Sequence, residues 1–213
     1  MTAAPLLALI LVAANRSMAT SVTICCCVST EHDAFEPSLP YYARRVPSNA
    51  CPDPSLQPLR LLLEGPPKIG KTTAMRCLVE LLREHGAVVS GFVTHEIRER
   101  DRRVGFLVRD VAGPEGVLAH QDFQTGVRVG RYGVDVSAFE RVALPALRRA
   151  QEGGGVVIID ELGRMELVSA PFVEAVDTLL AGSLPVVATM HVYEHPVTDA
   201  LIWQLMHSVG QAD

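Results

Sequence analysis

The segment Leu59–Thr73, LRLLLEGPPKIGKTT, constrains the fold more than any other part of the 213-residue chain. An apolar run (Leu59, Leu61, Leu62, Leu63) ends at Gly65, and Gly65, Gly70, Lys71 and Thr72 complete the pattern G-x-x-x-x-G-K-[ST]. This is a phosphate-binding loop, in which the backbone N–H groups between Gly65 and Lys71 turn inward as an anion-binding nest. Gly70 lets the main chain approach phosphate closely, and a helix starting near Lys71 adds its positive N-terminal end. The pattern needs a strand before it and a helix after it. The apolar run supplies the strand, while Met75, Leu78, Val79 and Leu82 recur at helical spacing before a stop at Gly86. A Gly/Pro turn with a solvated lysine would share the composition but not these flanks.

The loop residues Gly65, Pro66, Pro67, Lys68, Ile69, Gly70, Lys71, Thr72 and Thr73 are therefore read as nucleotide-binding. Lys71 is expected to reach the β- and γ-phosphates as a catalytic group, and the Thr72 hydroxyl to ligate Mg²⁺. Lys68 stands where such loops usually carry a small residue, and the nest asks for a left-handed backbone there.

The second strong signal is Val156–Glu161, VVIIDE. Four apolar β-branched residues ending in two acids describe a buried parallel strand with carboxylates at its carboxyl end, where α/β sheets bind ligands. Asp160 suits Mg²⁺, and Glu161 suits a base that orients and deprotonates an attacking water. Glu166 is the second candidate for that base. Ser169 is expected to cap a helix with Phe172, Val173, Val176, Leu179 and Leu180 on its apolar face. Leu184–Met190 reads as a further buried strand that brings Thr189 and His191 toward the phosphates, with Thr189 the better γ-phosphate contact.

Between these signals lie a strand at 87–95, a charged hairpin tip EIRERDRR at Glu96–Arg103, and strands at 104–111 and 117–119. A short extended piece at 131–136 follows, then a helix through Phe139, Val142, Ala143, Ala146, Leu147 and Ala150 that Pro145 starts or kinks. The middle of the chain thus reads as an antiparallel insert on the sheet. A last helix is expected through Val197, Leu201, Ile202 and Leu205.

Residues 1–58 read as an N-terminal extension and Pro-rich linker, expected to be disordered, ahead of a domain at 59–213. The apolar run Pro5–Ala14 is far shorter than the ~20 residues that span a bilayer, so no membrane span is expected. It lacks the basic residues of a leader, so a cytoplasmic location is expected, with organelle targeting by the extension as the alternative. The five cysteines form no C-x-x-C pair and no readable zinc or disulfide framework. A net charge of −5 and 5% aromatic residues leave neither a basic stripe nor a stacking platform, so no specific nucleic-acid binding is expected.

The motifs, taken in order, resemble a family. GPPKIGKTT (Gly65–Thr73), GFVTHEIRE (Gly91–Glu99), RRVGF (Arg102–Phe106), VGRYGVD (Val129–Asp135), FERVALPAL (Phe139–Leu147) and IDELGRMEL (Ile159–Leu167) are similar to the small P-loop nucleoside-triphosphatases of the thermophile type, the cancer-related nucleoside-triphosphatase family. The likeness spans about Leu59 to Met190. It implies an α/β P-loop NTPase fold: a mainly parallel central sheet flanked by helices, with an antiparallel insert. It also implies slow Mg²⁺-dependent hydrolysis of ATP, GTP and related triphosphates with broad base tolerance, and the additional-strand arrangement whose extra acid Glu161 matches. Arg98 and Arg103 match the family's hairpin arginines and become candidate γ-phosphate contacts.

Three departures stand out: Lys68 replaces a glycine, Arg164 replaces a lysine, and the family's final strand is expected to be missing. With that strand gone, the edge of Leu59–Glu64 is expected to stay open, the alternative being that Val22–Val28 folds back across it. Two other activities fit a phosphate-binding loop. A nucleotide or small-molecule kinase would need a second pocket and an arginine-rich lid, for which EIRERDRR is the one candidate. An inactive nucleotide-binding protein would bind without turnover.

Overall fold

The computed structural model describes residues 59–190 in full and, upstream of them, the backbone of a strand at 23–26. The linker, His191 and the expected last helix lie outside the described residues. The elements are β1 (Thr23–Cys26), β2 (Arg60–Glu64), α1 (Lys71–Glu84), β3 (Val89–Glu99), β4 (Arg102–Asp110), β5 (Glu115–His120), β6 (Arg128–Val129), β7 (Tyr132–Val134), α2 (Val136–Gly153), β8 (Val156–Leu162), α3 (Ala170–Ala181) and β9 (Val186–Met190). No helix among the described residues is long and apolar enough to cross a membrane.

The nine strands among the described residues form one sheet in the order β1-β2-β9-β8-β3-β4-β5-β7-β6. The centre, β2-β9-β8-β3, is parallel throughout. From β3 outward every pairing is antiparallel, which is the expected insert. Strand β9 lies between the phosphate-loop strand β2 and the acidic strand β8. This is the additional-strand arrangement, and it brings the carboxyl ends of β2, β9 and β8 side by side, where α/β folds place their ligands.

The parallel centre is buried on both faces, as its unbroken apolar runs require. One face packs α1 against Leu61, Leu63, Val93, Ile158 and Val187. The other packs α2 and α3 and holds an aromatic triangle of Phe92, Phe139 and Phe172, with centroids 5.0–5.7 Å apart and edge-to-face geometry. The capping residues behave as their chemistry dictates. Asp135 accepts from the Ala138 amide at 2.8 Å to start α2, and Ser169 accepts from the Phe172 amide at 3.2 Å to start α3. Gly86, in the left-handed region at φ 73°, follows α1, and Pro145 is carried inside α2.

Two expectations need correction. The edge of β2 is not open: β1 runs antiparallel along it, from Thr23 opposite Glu64 to Cys26 opposite Leu61. A strand buried on both faces leaves its edge amides and carbonyls unpaired unless another strand covers them, and the β-branched segment upstream does so. The charged run after residue 95 is also mostly strand rather than tip. β3 continues to Glu99, β4 starts at Arg102, and only Arg100 and Asp101 turn, both at positive φ (43° and 64°). This is the backbone of a two-residue hairpin whose twist matches its strands. The run stays extended because its charges pair across the ladder, Arg98 lying opposite Arg103 and both bonding Glu96.

Candidate active site

The site is assembled where β2, β8 and β9 end and α1 begins. In the loop, Lys68 has φ 68° and Gly70 has φ 107°, the left-handed conformations the nest requires. Lys68 adopts this backbone with its side chain exposed. Gly70 is the N-cap of α1 and, having no side chain, makes no side-chain cap, so the helix starts directly at the loop. Such a helix start favours an anion.

Lys71 is 5% exposed, and its Nζ donates to the carbonyls of Gly65 at 2.7 Å and Pro66 at 3.3 Å. Burial pulls its ammonium below the usual lysine range, while the charges of Glu161, Asp160 and Glu64 oppose that. The cation is thus stored in the loop among three carboxyl groups. Glu64, at the end of β2, is pushed up by burial, with Lys71 partly offsetting the effect.

Asp160 is fully buried. Burial pushes its carboxyl up to about 6, against the Thr189 hydroxyl, the Thr72 hydroxyl and the Thr94 amide, which favour the charged form; the charge of Glu161 raises it further. Thr189 donates to Oδ1 at 2.6 Å, and Oδ2 has no hydrogen-bond partner. A buried carboxylate oxygen without a partner is costly, and beside a phosphate loop it is the kind of oxygen that a cation would satisfy. The hard oxygens of Asp160 and Thr72 fit Mg²⁺, which takes one or two protein ligands and completes its octahedron with water and phosphate.

Glu161 follows on the same strand and is half-buried. Thr189, expected at the γ-phosphate, is fully buried and its hydroxyl is committed to Asp160. The cause is the position of β9, whose end is flanked by β2 on one side and β8 on the other. Arg98 and Arg103 lie on the β3–β4 hairpin, and both guanidinium groups hold Glu96, at 2.6 and 2.8 Å. Arg103 also donates to Tyr132 Oη at 3.2 Å and lies over the Phe106 ring at 4.9 Å.

Sequence reasoning missed the Thr94 amide, which nothing in a side-chain pattern encodes. It also missed Glu96 as the hub of the hairpin. The alternation of Glu96 and Arg98 with an arginine across the turn was the signal for that hub.

A family model described as NTPase matches residues 60–208. The nucleoside-triphosphatase THEP1 of Thermofilum pendens is 49% identical over 131 residues, covering 61% of this chain and 72% of the relative. The human cancer-related nucleoside-triphosphatase is 39% identical over 142 residues, 59% of this chain and 75% of that protein. Among solved structures, that of THEP1 from Aquifex aeolicus matches with a TM-score of 0.59 at 33% identity, covering 66% of this chain and 81% of that one. The solution structure of a human cancer-related nucleoside triphosphatase matches with a TM-score of 0.56 at 38% identity, covering 68% and 81%.

Proposed function

This chain belongs to the NTPase family, and from that premise we propose that it hydrolyses nucleoside 5′-triphosphates to diphosphate and phosphate, with Mg²⁺ and with broad tolerance of the base. The observation that carries the reading is the meeting of Lys71, Thr72 and Asp160 at one sheet end, with Asp160 Oδ2 unpartnered. In the reaction, loop amides and the α1 N-terminus hold the β-phosphate, and Lys71 leaves the Gly65 carbonyl for the phosphate oxygens. Mg²⁺, held by Thr72 and Asp160, would neutralise charge on the β- and γ-oxygens. Glu161 orients a water and takes its proton as the new O–P bond forms, while the bond to the β–γ bridging oxygen breaks and diphosphate leaves.

Thr189 acts here through Asp160, by fixing its Oδ1. Arg98 and Arg103 are proposed to reach the γ-phosphate by exchanging the Glu96 carboxylate for a phosphate face, which offers guanidinium groups the same kind of acceptor. Base tolerance follows from where the site's groups point: each one described addresses phosphate, metal or water. ATP and GTP are accordingly expected to be turned over alike.

Phosphate release from ATP, GTP, CTP and UTP, with and without Mg²⁺ and beside a Lys71→Ala control, tests the reading. Release well above the control with all four and only with Mg²⁺ is expected. Phosphate carried to an acceptor other than water would replace hydrolase by kinase, and binding without release would mean an inactive binder.

A further inference from the structure

Of the two hairpin arginines, one is seated more firmly than the other. Arg98 is about half exposed and donates to Glu96 and to the Asp101 carbonyl, at 2.6 Å each. Arg103 is about a third exposed, and besides Glu96 it engages two aromatic rings. Phe106 and Tyr132 meet edge to face, with centroids 5.2 Å apart and planes at 75°. The Arg103 guanidinium sits in the corner between them, 4.9 Å from the centre of the Phe106 ring and 5.9 Å from that of Tyr132. A guanidinium over aromatic faces is held by the ring quadrupoles as well as by contact.

A second hairpin supplies one wall of that corner. Val129 pairs with Tyr132, so Gly130 (φ 59°) and Arg131 form the two-residue turn between β6 and β7. Tyr132 is 6% exposed and belongs to the core on the α2 and α3 side. Its hydroxyl is engaged as donor and as acceptor at once. It donates to the Arg103 carbonyl at 3.3 Å, and it accepts from Arg103 Nε at 3.2 Å and from Arg131 at 2.8 Å. Arg131, itself exposed, stacks on the same ring at 5.0 Å and also donates to the Arg103 carbonyl. The nitrogens of Arg103 are thus divided between two environments. Nε is given to a buried tyrosine, while an η nitrogen goes to the exposed carboxylate of Glu96 at 2.8 Å.

We propose that Tyr132 is a positioning residue for Arg103: its hydroxyl, fixed by Arg131, holds Nε while the two rings set the plane of the guanidinium, so that the η nitrogens face the γ-phosphate once Glu96 releases them. The proposal rests on the reading of Arg103 as a γ-phosphate contact. A free arginine side chain must be ordered before it can meet a phosphate, and a guanidinium already held by Nε and by stacking avoids most of that cost.

The test is kcat/KM for ATP with Mg²⁺, together with the affinities for ADP and for a non-hydrolysable ATP analogue, in the full chain. Tyr132→Phe and Arg131→Ala are each made in the wild-type and in the Arg103→Ala background. Tyr132→Phe keeps both rings and removes only the oxygen. It is expected to lower kcat/KM and analogue affinity on the order of tenfold and to leave ADP affinity within about twofold, because the contact it orients is to the γ-phosphate alone. Arg131→Ala, an exposed change that loosens the phenol from outside, acts in the same direction by a smaller factor. In the Arg103→Ala background neither variant lowers kcat/KM further, since both act through Arg103. A tyrosine that served stability alone would move the melting temperature, or ATP and ADP together, without that split.

Wild-type kcat/KM in Tyr132→Phe, an equal loss in both backgrounds, or an equal loss for the analogue and for ADP overturns the proposal. Should Tyr132→Phe fail to fold, an unchanged kcat/KM in Arg131→Ala overturns it. If Arg103→Ala itself leaves kcat/KM and analogue affinity unchanged, Arg103 does not meet phosphate and the positioning role falls with that reading. If Arg103→Ala is impaired and Tyr132→Phe is not, only the positioning role falls. If the wild-type chain binds nucleotide without turnover, hydrolysis falls, and the ratio of analogue to ADP affinity decides the positioning role by itself.

Discussion

The end of the parallel centre and the tip of the antiparallel hairpin both gather charged residues, yet they solve opposite problems. At the sheet end, Asp160, Lys71 and Glu166 are buried, and one carboxylate oxygen has no partner. At the hairpin, Glu96, Arg98 and Arg103 sit in solvent with side chains about a third to a half exposed, and Glu96 is bonded on both oxygens. Buried charge is expensive unless a ligand completes it; solvated charge is cheap and already complete. Incomplete partnering in a dry place marks chemistry more surely than charge density does.

The largest effect is expected at Glu161. Glu161→Gln keeps the shape of the side chain and removes its basicity, so Mg²⁺-nucleotide binding should persist while hydrolysis slows by about 10²–10⁴-fold. Single-turnover phosphate release alongside a binding titration measures both. A rate unchanged in that variant would shift the base to Glu166.

Lys71→Ala should come next. The ammonium donates to the Gly65 and Pro66 carbonyls within the loop itself, so the binding role proposed for it is toward phosphate. A charge-assisted contact of this kind is worth about 1.5–3 kcal/mol, or roughly 10–100-fold in triphosphate affinity. Affinity for the bare nucleoside should not move. Equal losses for both ligands would mean that the loop does not cradle phosphate.

How much of this was legible in the chain differs between the two regions for the same physical reason. The phosphate loop is local: eight residues carry the glycines, the lysine and the hydroxyl, and the backbone at Lys68 and Gly70 follows from their chemistry. The strand VVIIDE announces itself because a strand buried on both faces has no polar alternation to hide its terminal acids. What could not be read was set by partners far away in sequence. Thr189 reads as a strand-end hydroxyl aimed at phosphate, and the insertion of β9 beside β8 turns it to Asp160 instead. Arg60, inside the apolar run, is buried and donates to the Leu180 carbonyl at 3.1 Å, closing the C-terminal end of α3 from 120 residues away. The pairing of β1 with β2 likewise needs the whole sheet to show which edge lacks a neighbour.

Asp160→Asn separates stability from function at the buried end. An acid raised to about 6 in the folded protein from its ordinary value of 3.8 is held in its neutral form more strongly folded than unfolded. The folded state therefore binds more protons than the unfolded state between those values, and stability falls as pH rises through that window. At pH 7 without Mg²⁺ the variant, freed of that buried charge, should be more stable than wild type by on the order of 1–3 kcal/mol, with a higher Tm. At pH 5, where most of the wild-type group is protonated, the gain should shrink. The same variant should lose the stabilisation that Mg²⁺ with nucleotide gives wild type. Thermal melts at the two pH values, with and without Mg²⁺ and ADP, read out both halves. A variant less stable than wild type at pH 7 would mean that Asp160 is satisfied without a cation.

The smallest effect belongs to the hairpin. Glu96→Gln keeps the length of the side chain and removes the charge that both arginines share, so it weakens two solvated pairs and leaves no buried group unpaired. Burial tends to raise the Glu96 carboxyl, but hydrogen bonds and charge from Arg103 and Arg98 outweigh it and hold it below the usual range. The stability that goes with this is present above the ordinary glutamate pKa and lost as pH falls through the lower, folded value. Pairs this exposed contribute about 0.2–1 kcal/mol each, so the melting temperature should drop by no more than a few degrees, and 0.5 M salt should remove most of the difference. The kinetic consequence is sharper than the thermodynamic one. If the arginines must exchange Glu96 for phosphate, loosening that contact raises kcat/KM by a few-fold, because the competing acceptor is weaker, while Arg103→Ala lowers it. If kcat/KM is indifferent to both substitutions, Arg103 is a strut between Phe106, Tyr132 and Glu96, and the contrast with the sheet end becomes complete: one cluster poised for a ligand, the other closed on itself.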